Sequence, residues 1–278
     1  MIMPNAENSG PQFKDRQGKG KIMKIATFNV NSIRSRLPIV IAWLDKNKPD
    51  VLCMQETKVQ DHEFPAAAFT EAGYQVVFRG EKSYNGVAVA SLTKPSKISF
   101  GFTDGGSPDE SRLLIAKISE IFVINTYVPQ GREIENAMYQ YKLEWFERLR
   151  KLFEKQFKPD DKIVWAGDFN VAPEAIDIYN APMQENHVCY HKAVREAFAQ
   201  AKQWGFVDIF RKYHPEPGQY SYYDYRTLNA VQRKMGWRVD HILATAPLAR
   251  KSKDCYIDLK PRLEPKCSDH TVMTAEFG

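Results

Sequence analysis

From residue 23 onward, short apolar runs alternate with longer stretches whose apolar residues recur at helical spacing. MKIATF (23–28) and VLCMQ (51–55) are continuous apolar runs closed by polar residues, the pattern of buried strands. Between them, SRLPIVIAWLDKNK has a helical period, and Pro49-Asp50 ends it. YQVVF, NGVAVAS, RLLIAKI and IFVINTYV predict further strands. A long helix is predicted over roughly Ile134 to Phe157, with Leu143, Phe146, Leu149 and Phe153 on one stripe. A strand at Ile163–Ala166 and a second helix near Ala193–Trp204 follow. QYSYYDYR, WRVDHILA, KDCYIDLK and HTVMTAEF read as the remaining strands. Hairpin-like runs and crossovers are mixed. The expectation is an α/β fold with two sheets packed face to face and helices outside, rather than one doubly wound parallel sheet. No linker interrupts residues 23–278, which are expected to form one domain.

These strands end in an unusual way. Phe28 is followed by Asn29 and Asn31, Gln55 by Glu56, and Ile124 by Asn125, Tyr127 and then Gln130. Trp165 leads to Asp168 and Asn170, and Cys267-Ser268 leads to Asp269-His270. Asp240 follows Trp237-Arg238-Val239. Each residue alone has an ordinary reading: Asp and Asn form turns, Glu56 pairs with Lys58, and Tyr127 packs. Together they predict strand ends converging on one edge, where a rigid sheet presents chemistry. Residues two apart on an extended chain share a face, so Asn29 with Asn31, and Asp168 with Asn170, are each expected to face one site.

Composition changes this picture little. The 278 residues are 43% hydrophobic and 26% charged, with a net charge of +5. That mild excess suits solubility, and also a polyanionic partner. No apolar run approaches a membrane span. The four cysteines have neither metal-site nor redox-motif spacing, and none calls for an oxidising compartment. Residues 1–22 are polar and rich in Pro, Gly and Lys, without a secretory apolar stretch. They read as a disordered tail or an over-long start before Met23, with a nucleic-acid-binding arm as a further reading. A cytoplasmic, monomeric protein is expected.

The set of candidate groups is rich in oxygen and poor in sulfur. Carboxylates with amide carbonyls suit a hard cation such as Mg²⁺ or Mn²⁺, and such sites commonly handle phosphate. A nucleophile elbow, a P-loop, a dinucleotide glycine fingerprint and a zinc HExxH are all absent from the sequence. His270 with Asp240 offers an oriented imidazole that can donate to a phosphoryl oxygen. Aromatic residues beside Arg226 and Arg238 suit stacking and backbone tracking of a nucleic acid, or else core packing of Tyr222 and Trp237.

MKIATFNVNSIRSR, PDVLCMQETK, INTYVPQG, IVWAGDFNVAPEAIDIYN, GWRVDHILA and CSDHTVMTAEF stand in the order of a known family. The chain resembles the exonuclease III type of abasic-site endonuclease, within the endonuclease/exonuclease/phosphatase superfamily, from Met23 to Phe277. The resemblance implies a four-layered α/β sandwich, two mixed sheets face to face and flanked by helices, of deoxyribonuclease I-like form. It implies Glu56 as principal metal ligand, helped by Asn31, Asp269 and Asn29, with Asp168 and Asn170 also facing the metal. Asp168 would orient or deprotonate the attacking water, and Asn170 would hold that water and the phosphate. His270, set by Asp240, would bind a phosphate oxygen, and Tyr127 would contact the scissile phosphate or the leaving group. Tyr222, Trp237 and Val239 would line the pocket for a flipped-out baseless sugar, cheap to extrude because it has little stacking to lose. Gln130, Arg112 and Asn180 would also bind substrate. The implied reaction is Mg²⁺-dependent cleavage (Mn²⁺ substituting) 5′ to abasic sites in duplex DNA. Activity on blocked 3′ ends and 3′→5′ exonuclease activity accompany it.

The chain departs from the family's usual pattern at Ser32, where N-G-L-R commonly stands, at Ser111, and at His241 in a tyrosine position. Asn31 stands where some relatives carry Asp, which predicts weaker or more selective metal binding. Two other functions compete with the nuclease: a phosphodiesterase or phosphatase of the same fold acting on small substrates, and a catalytically silent DNA-binding protein.

Overall fold

The computed structural model of the chain describes residues 22–278. The tail expected over 1–22 therefore lies, Ile22 aside, outside the described residues. The chain runs β1 (Met23–Asn29), α1 (Ile33–Asn47), β2 (Val51–Gln55), α2 (Ala66–Glu71), β3 (Gln75–Arg79) and β4 (Val87–Ser91). It continues with β5 (Lys97–Phe100), β6 (Leu113–Ile118), β7 (Ile121–Tyr127), α3 (Ala137–Gln156), β8 (Ile163–Asp168) and α4 (Lys192–Gln203). Then come β9 (Phe206–Asp208), α5 (Ile209–Tyr213), β10 (Asp240–Thr245), α6 (Ala246–Ala249), β11 (Ser252–Asp258), α7 (Lys260–Leu263) and β12 (Val272–Phe277).

The strands form two six-stranded sheets, ordered β11-β12-β1-β2-β4-β3 and β5-β6-β7-β8-β10-β9. Each is antiparallel except for one central parallel pair, β1 with β2 and β7 with β8. Alternation along the central strands builds the layers. Ile25, Val51, Cys53, Val123, Val164 and Ile242 fill the space between the sheets. Ala26, Phe28, Leu52 and Met54 pack outward with Val40, Trp43 and Leu44 of α1. Ile124 and Trp165 pack outward with Phe146, Leu149 and Phe153 of α3 and Phe198 of α4. The four-layered α/β sandwich is thus present, and the predicted long helix begins three residues late because Asn136 caps it, accepting from the Met138 N–H at 2.9 Å.

Near one edge the inter-sheet layer turns polar. Gln55 donates to Asn125 Oδ1 at 2.7 Å and to Thr27 Oγ1 at 3.0 Å. Asn125 donates in turn to the carbonyls of Met54 (3.0 Å) and Ala88 (2.9 Å) in the opposite sheet. These satisfied buried amides fasten one sheet to the other beneath the convergent strand ends. Gly167 lets β7 and β8 lie this close: its φ is +144°, and a Cβ there would fall 1.9 Å from the Thr126 carbonyl oxygen.

QYSYYDYR is not a strand. Only Tyr222 forms bridges, to Trp237 and His270, because the backbone bends to wrap the site edge. The short strands β5 and β9 escaped the sequence reading, being only four and three residues long.

Candidate active site

The ends of β1, β2, β8 and β10 and the segment before β12 meet at that edge. Asn29 is fully buried there, and its Nδ2 donates to Glu56 Oε1 at 2.7 Å and to Asp168 Oδ2 at 2.9 Å. One amide thus draws together two carboxylates from opposite sheets. The amide oxygen of Asn29 and the second carboxylate oxygen of Asp168 each close a turn. Asn29 Oδ1 accepts the Asn31 N–H at 3.0 Å, and Asp168 Oδ1 accepts the Asn170 N–H at 2.9 Å.

These turns correct the expectation that each pair shares a face by extended alternation. Asn31, Glu56 and Asn170 have φ of 42°, 52° and 49°, so the chain curls left-handed at each. Such backbone clusters at functional sites, where the surroundings over-determine it. The ordinary turn reading and the chemical reading hold together: one side-chain atom makes the turn and the other faces the site. Asn31 Nδ2 donates to Asp269 Oδ1 at 2.9 Å. Asn170 Nδ2 donates to the Val128 carbonyl at 2.9 Å.

His270 faces this group. Asp240 Oδ2 accepts from its Nδ1 at 2.8 Å, and its Nε2 lies 3.8 Å from Asp168 Oδ2. Burial works against a charged His270, but the Asp240 and Asp168 carboxylates outweigh it and raise the imidazole pKa to about 10. Burial, against the pull of His270, raises the Asp168 carboxyl to about 7, and Asp240 and Glu56 push the same way. Burial also opposes ionisation of Glu56, yet its pKa falls because Lys58 sits 2.8 Å from Oε2 and Asn29 donates to Oε1. Tyr127 is pushed well above 10 by burial and then by Glu56, so it stays a phenol and a donor.

Glu56, Asp168 and His270 bring ligand-type atoms within 4.8 Å of one another. Asp240 already engages His270 Nδ1, and the carboxylates of Glu56 and Asp168 with the neighbouring amides make the donor set rich in oxygen. That set suits a hard cation.

A cavity of about 380 Å³ opens beside these groups. Glu56, Tyr127, Asp168, Asn170, Asp269 and His270 form its polar end, and Tyr222, Trp237 and Val239 its aromatic and apolar wall. The Tyr222 ring lies 5.0 Å from the imidazole of His270.

Over residues 26–270 the sequence matches the Endonuclease/Exonuclease/phosphatase family. It is 31% identical to exodeoxyribonuclease III of Haemophilus influenzae over 92% of this chain and 100% of that protein. The chain belongs to the exodeoxyribonuclease III branch of the endonuclease/exonuclease/phosphatase family. Among solved structures, an AP endonuclease from Archaeoglobus fulgidus is 55% identical, with a TM-score of 0.90 over 92% of this chain and 99% of that one. A 3′ phosphatase from Neisseria, NExo, bound to a product DNA hairpin, is 37% identical, with a TM-score of 0.87 over 92% and 99%.

Other residues singled out in the sequence fall at varying distances from this family site. Gln130 lines the cavity. Arg112 does not; its guanidinium stacks over the Tyr127 ring at 4.7 Å and its Nε donates to Glu110 at 3.0 Å. Asn180 is exposed outside the lining, its Nδ2 on Met183 Sδ at 2.9 Å, while its neighbour Tyr179 lines the cavity. Asn29 and Asp240 are fully buried supports. Arg238 is fully buried and cannot track a backbone: it holds Asp177 (2.5 Å), Asp208 (2.9 Å) and His241 Nδ1 (2.9 Å). Through that network His241 Nε2 donates to the Val171 carbonyl at 2.8 Å, directly after Asn170. His187 and Cys189 also line the cavity; the resemblance implies that their segment, 186–192, approaches the DNA, but neither residue was predicted for the site, nor was Lys142, which bonds the Asn170 carbonyl, since a lone His, Cys or Lys carries no spacing signal.

Among the described residues, no helix is long and apolar enough to cross a membrane.

Proposed function

We propose that this chain is a Mg²⁺-dependent DNA-repair nuclease, with Mn²⁺ able to substitute. It hydrolyses the phosphodiester 5′ to abasic sites in duplex DNA and acts on blocked 3′ ends and, as an exonuclease, on 3′ termini. The observation that carries the reading is the meeting of Asp168, Glu56 and a clamped His270 at the polar end of a cavity walled by Tyr222, Trp237 and Val239.

Glu56, with Asp168, Asp269, Asn31 and Asn170 around it and Asn29 gathering the two carboxylates, would hold the cation, which supplies positive charge against the phosphate oxygens. Asp168, whose buried carboxylate is a stronger proton acceptor than a free one, accepts a proton from the attacking water. Asn170, fixed by its turn, holds that water and the phosphate. The His270 imidazolium, oriented by Asp240, donates to a non-bridging oxygen and stabilises its growing charge. Water's oxygen bonds to phosphorus while the bond to the 3′ oxygen of the preceding nucleotide breaks. Tyr127, a protonated phenol, would donate a hydrogen bond to that leaving oxygen, which takes a proton from solvent to become the 3′-hydroxyl. Tyr222, Trp237 and Val239 receive the baseless sugar, which leaves the helix at little stacking cost.

The test is a duplex carrying one abasic-site analogue, incubated with Mg²⁺ or with EDTA, beside an intact duplex with a recessed 3′ end. The expected result is Mg²⁺-dependent nicking at the lesion, abolished by EDTA. Absence of cleavage on both substrates would overturn the nuclease reading.

A further inference from the structure

Lys142, on the inner face of α3, is fully buried, which for a lysine demands compensation. Its Nζ donates to the carbonyl oxygens of Gln130 at 3.1 Å, Asn170 at 2.6 Å and Val188 at 2.9 Å. Three acceptors match the three N–H groups of an ammonium. A neutral amine would leave one of these carbonyls without its donor.

The three carbonyls belong to three separate segments. Gln130 follows β7, Asn170 follows β8 and Val188 precedes α4. Each segment carries part of the site: the Gln130 side chain, Asn170 itself, and the cavity-lining His187 and Cys189. Asn170 is gripped twice, by its carbonyl on Lys142 and by its Nδ2 on the Val128 carbonyl. Its left-handed backbone, φ 49°, needs such over-determination. The clamp also has little slack, since a Cβ on Gly131 would come within 3.3 Å of Lys142 Cδ and 3.2 Å of the Tyr139 ring. Lys142 itself does not line the cavity.

We propose that Lys142 is a positioning residue for the hydrolysis: its buried ammonium binds three site segments into one unit and fixes Asn170 against Asp168. The inference rests on the nuclease reading above. It separates turnover from affinity. Loosening Asn170 misplaces the attacking water, so the loss falls mainly on kcat, because the Lys142 side chain itself does not line the cavity.

Cleavage of the abasic duplex by wild type, Lys142→Met and Lys142→Gln, with kcat and KM measured separately, tests this. Folding is checked by circular dichroism and thermal melting. The Met variant is expected to lose about 100-fold in kcat per folded molecule, with KM within about threefold of wild type. The Gln variant, keeping some donors, falls between. A purely structural lysine would lower the folded fraction and leave kcat of the folded molecules intact. That result, or a loss confined to KM, overturns the proposal. If neither variant folds, Lys142→Arg decides. Its bulkier planar fork cannot reproduce the compact donor geometry of the ammonium in this tight site, so kcat falls by about tenfold, and wild-type kcat there overturns the clamp. A wild-type protein that fails to cut would instead sink the nuclease reading.

Discussion

Asp240 grips Nδ1 of His270 at 2.8 Å and thereby aims Nε2 at Asp168, 3.8 Å away. The imidazole sits between two carboxylates that favour its charged form, and so becomes a fixed donor at the polar end of the cavity. Removing that orientation is costly. Asp240→Asn is expected to lower kcat by about 100-fold or more while leaving DNA affinity nearly unchanged, read from single-turnover cleavage and from binding without metal. A loss of less than threefold would mean that Asp240 does not set the histidine.

Glu56 is gathered toward Asp168 by Asn29. Glu56→Gln removes the negative charge while keeping the shape. The expected outcome is at least tenfold weaker Mn²⁺ binding, followed by electron paramagnetic resonance on the DNA-free protein. Unchanged affinity would exclude Glu56 as the principal ligand.

His241 is buried against Arg238, and burial, with that guanidinium, lowers its pKa to about 3. In the unfolded chain the imidazole titrates near 6.5, as model histidines do. Below that value the unfolded state takes up a proton that the fold refuses. Stability from this residue is therefore complete above about pH 6.5 and is lost as pH falls toward 3. The loss is on the order of a few kcal/mol. Urea unfolding between pH 7 and pH 4 should show a steeper decline for wild type than for His241→Asn. Parallel curves would contradict the assignment.

Ser32 has φ 88° and ψ 104°, a conformation suited to glycine. Its N–H donates to the Glu56 carbonyl at 2.8 Å, so strain is held right beside the site. Ser32→Gly should stabilise the protein by about 1 kcal/mol, read by denaturant unfolding. A destabilised variant would show that the serine conformation is unstrained.

Much of the fold was readable because the buried strands are long apolar runs whose period differs from that of the helices. β2 was placed residue for residue, as VLCMQ. The clustering of Asn29, Glu56, Asp168 and His270 was anticipated from polar residues ending apolar strands. The mechanism of convergence was not. It depends on left-handed backbone at Asn31, Glu56 and Asn170, which side-chain alternation cannot show. Arg238 misled for a related reason: a basic residue beside aromatics looks like a phosphate contact until Asp177 and Asp208, distant in sequence, enclose it. Lys142 was invisible because its partners are backbone carbonyls, which any residue carries.

The most direct test is Asp168→Asn, which preserves shape but removes the carboxylate proposed to act as the base. Cleavage and binding of abasic-site duplex DNA would be measured on one preparation. The account predicts that kcat falls by at least about 1000-fold while the variant still binds the lesion within a few-fold of wild type. Cleavage at the wild-type rate would contradict the placement of Asp168 at the reacting phosphate.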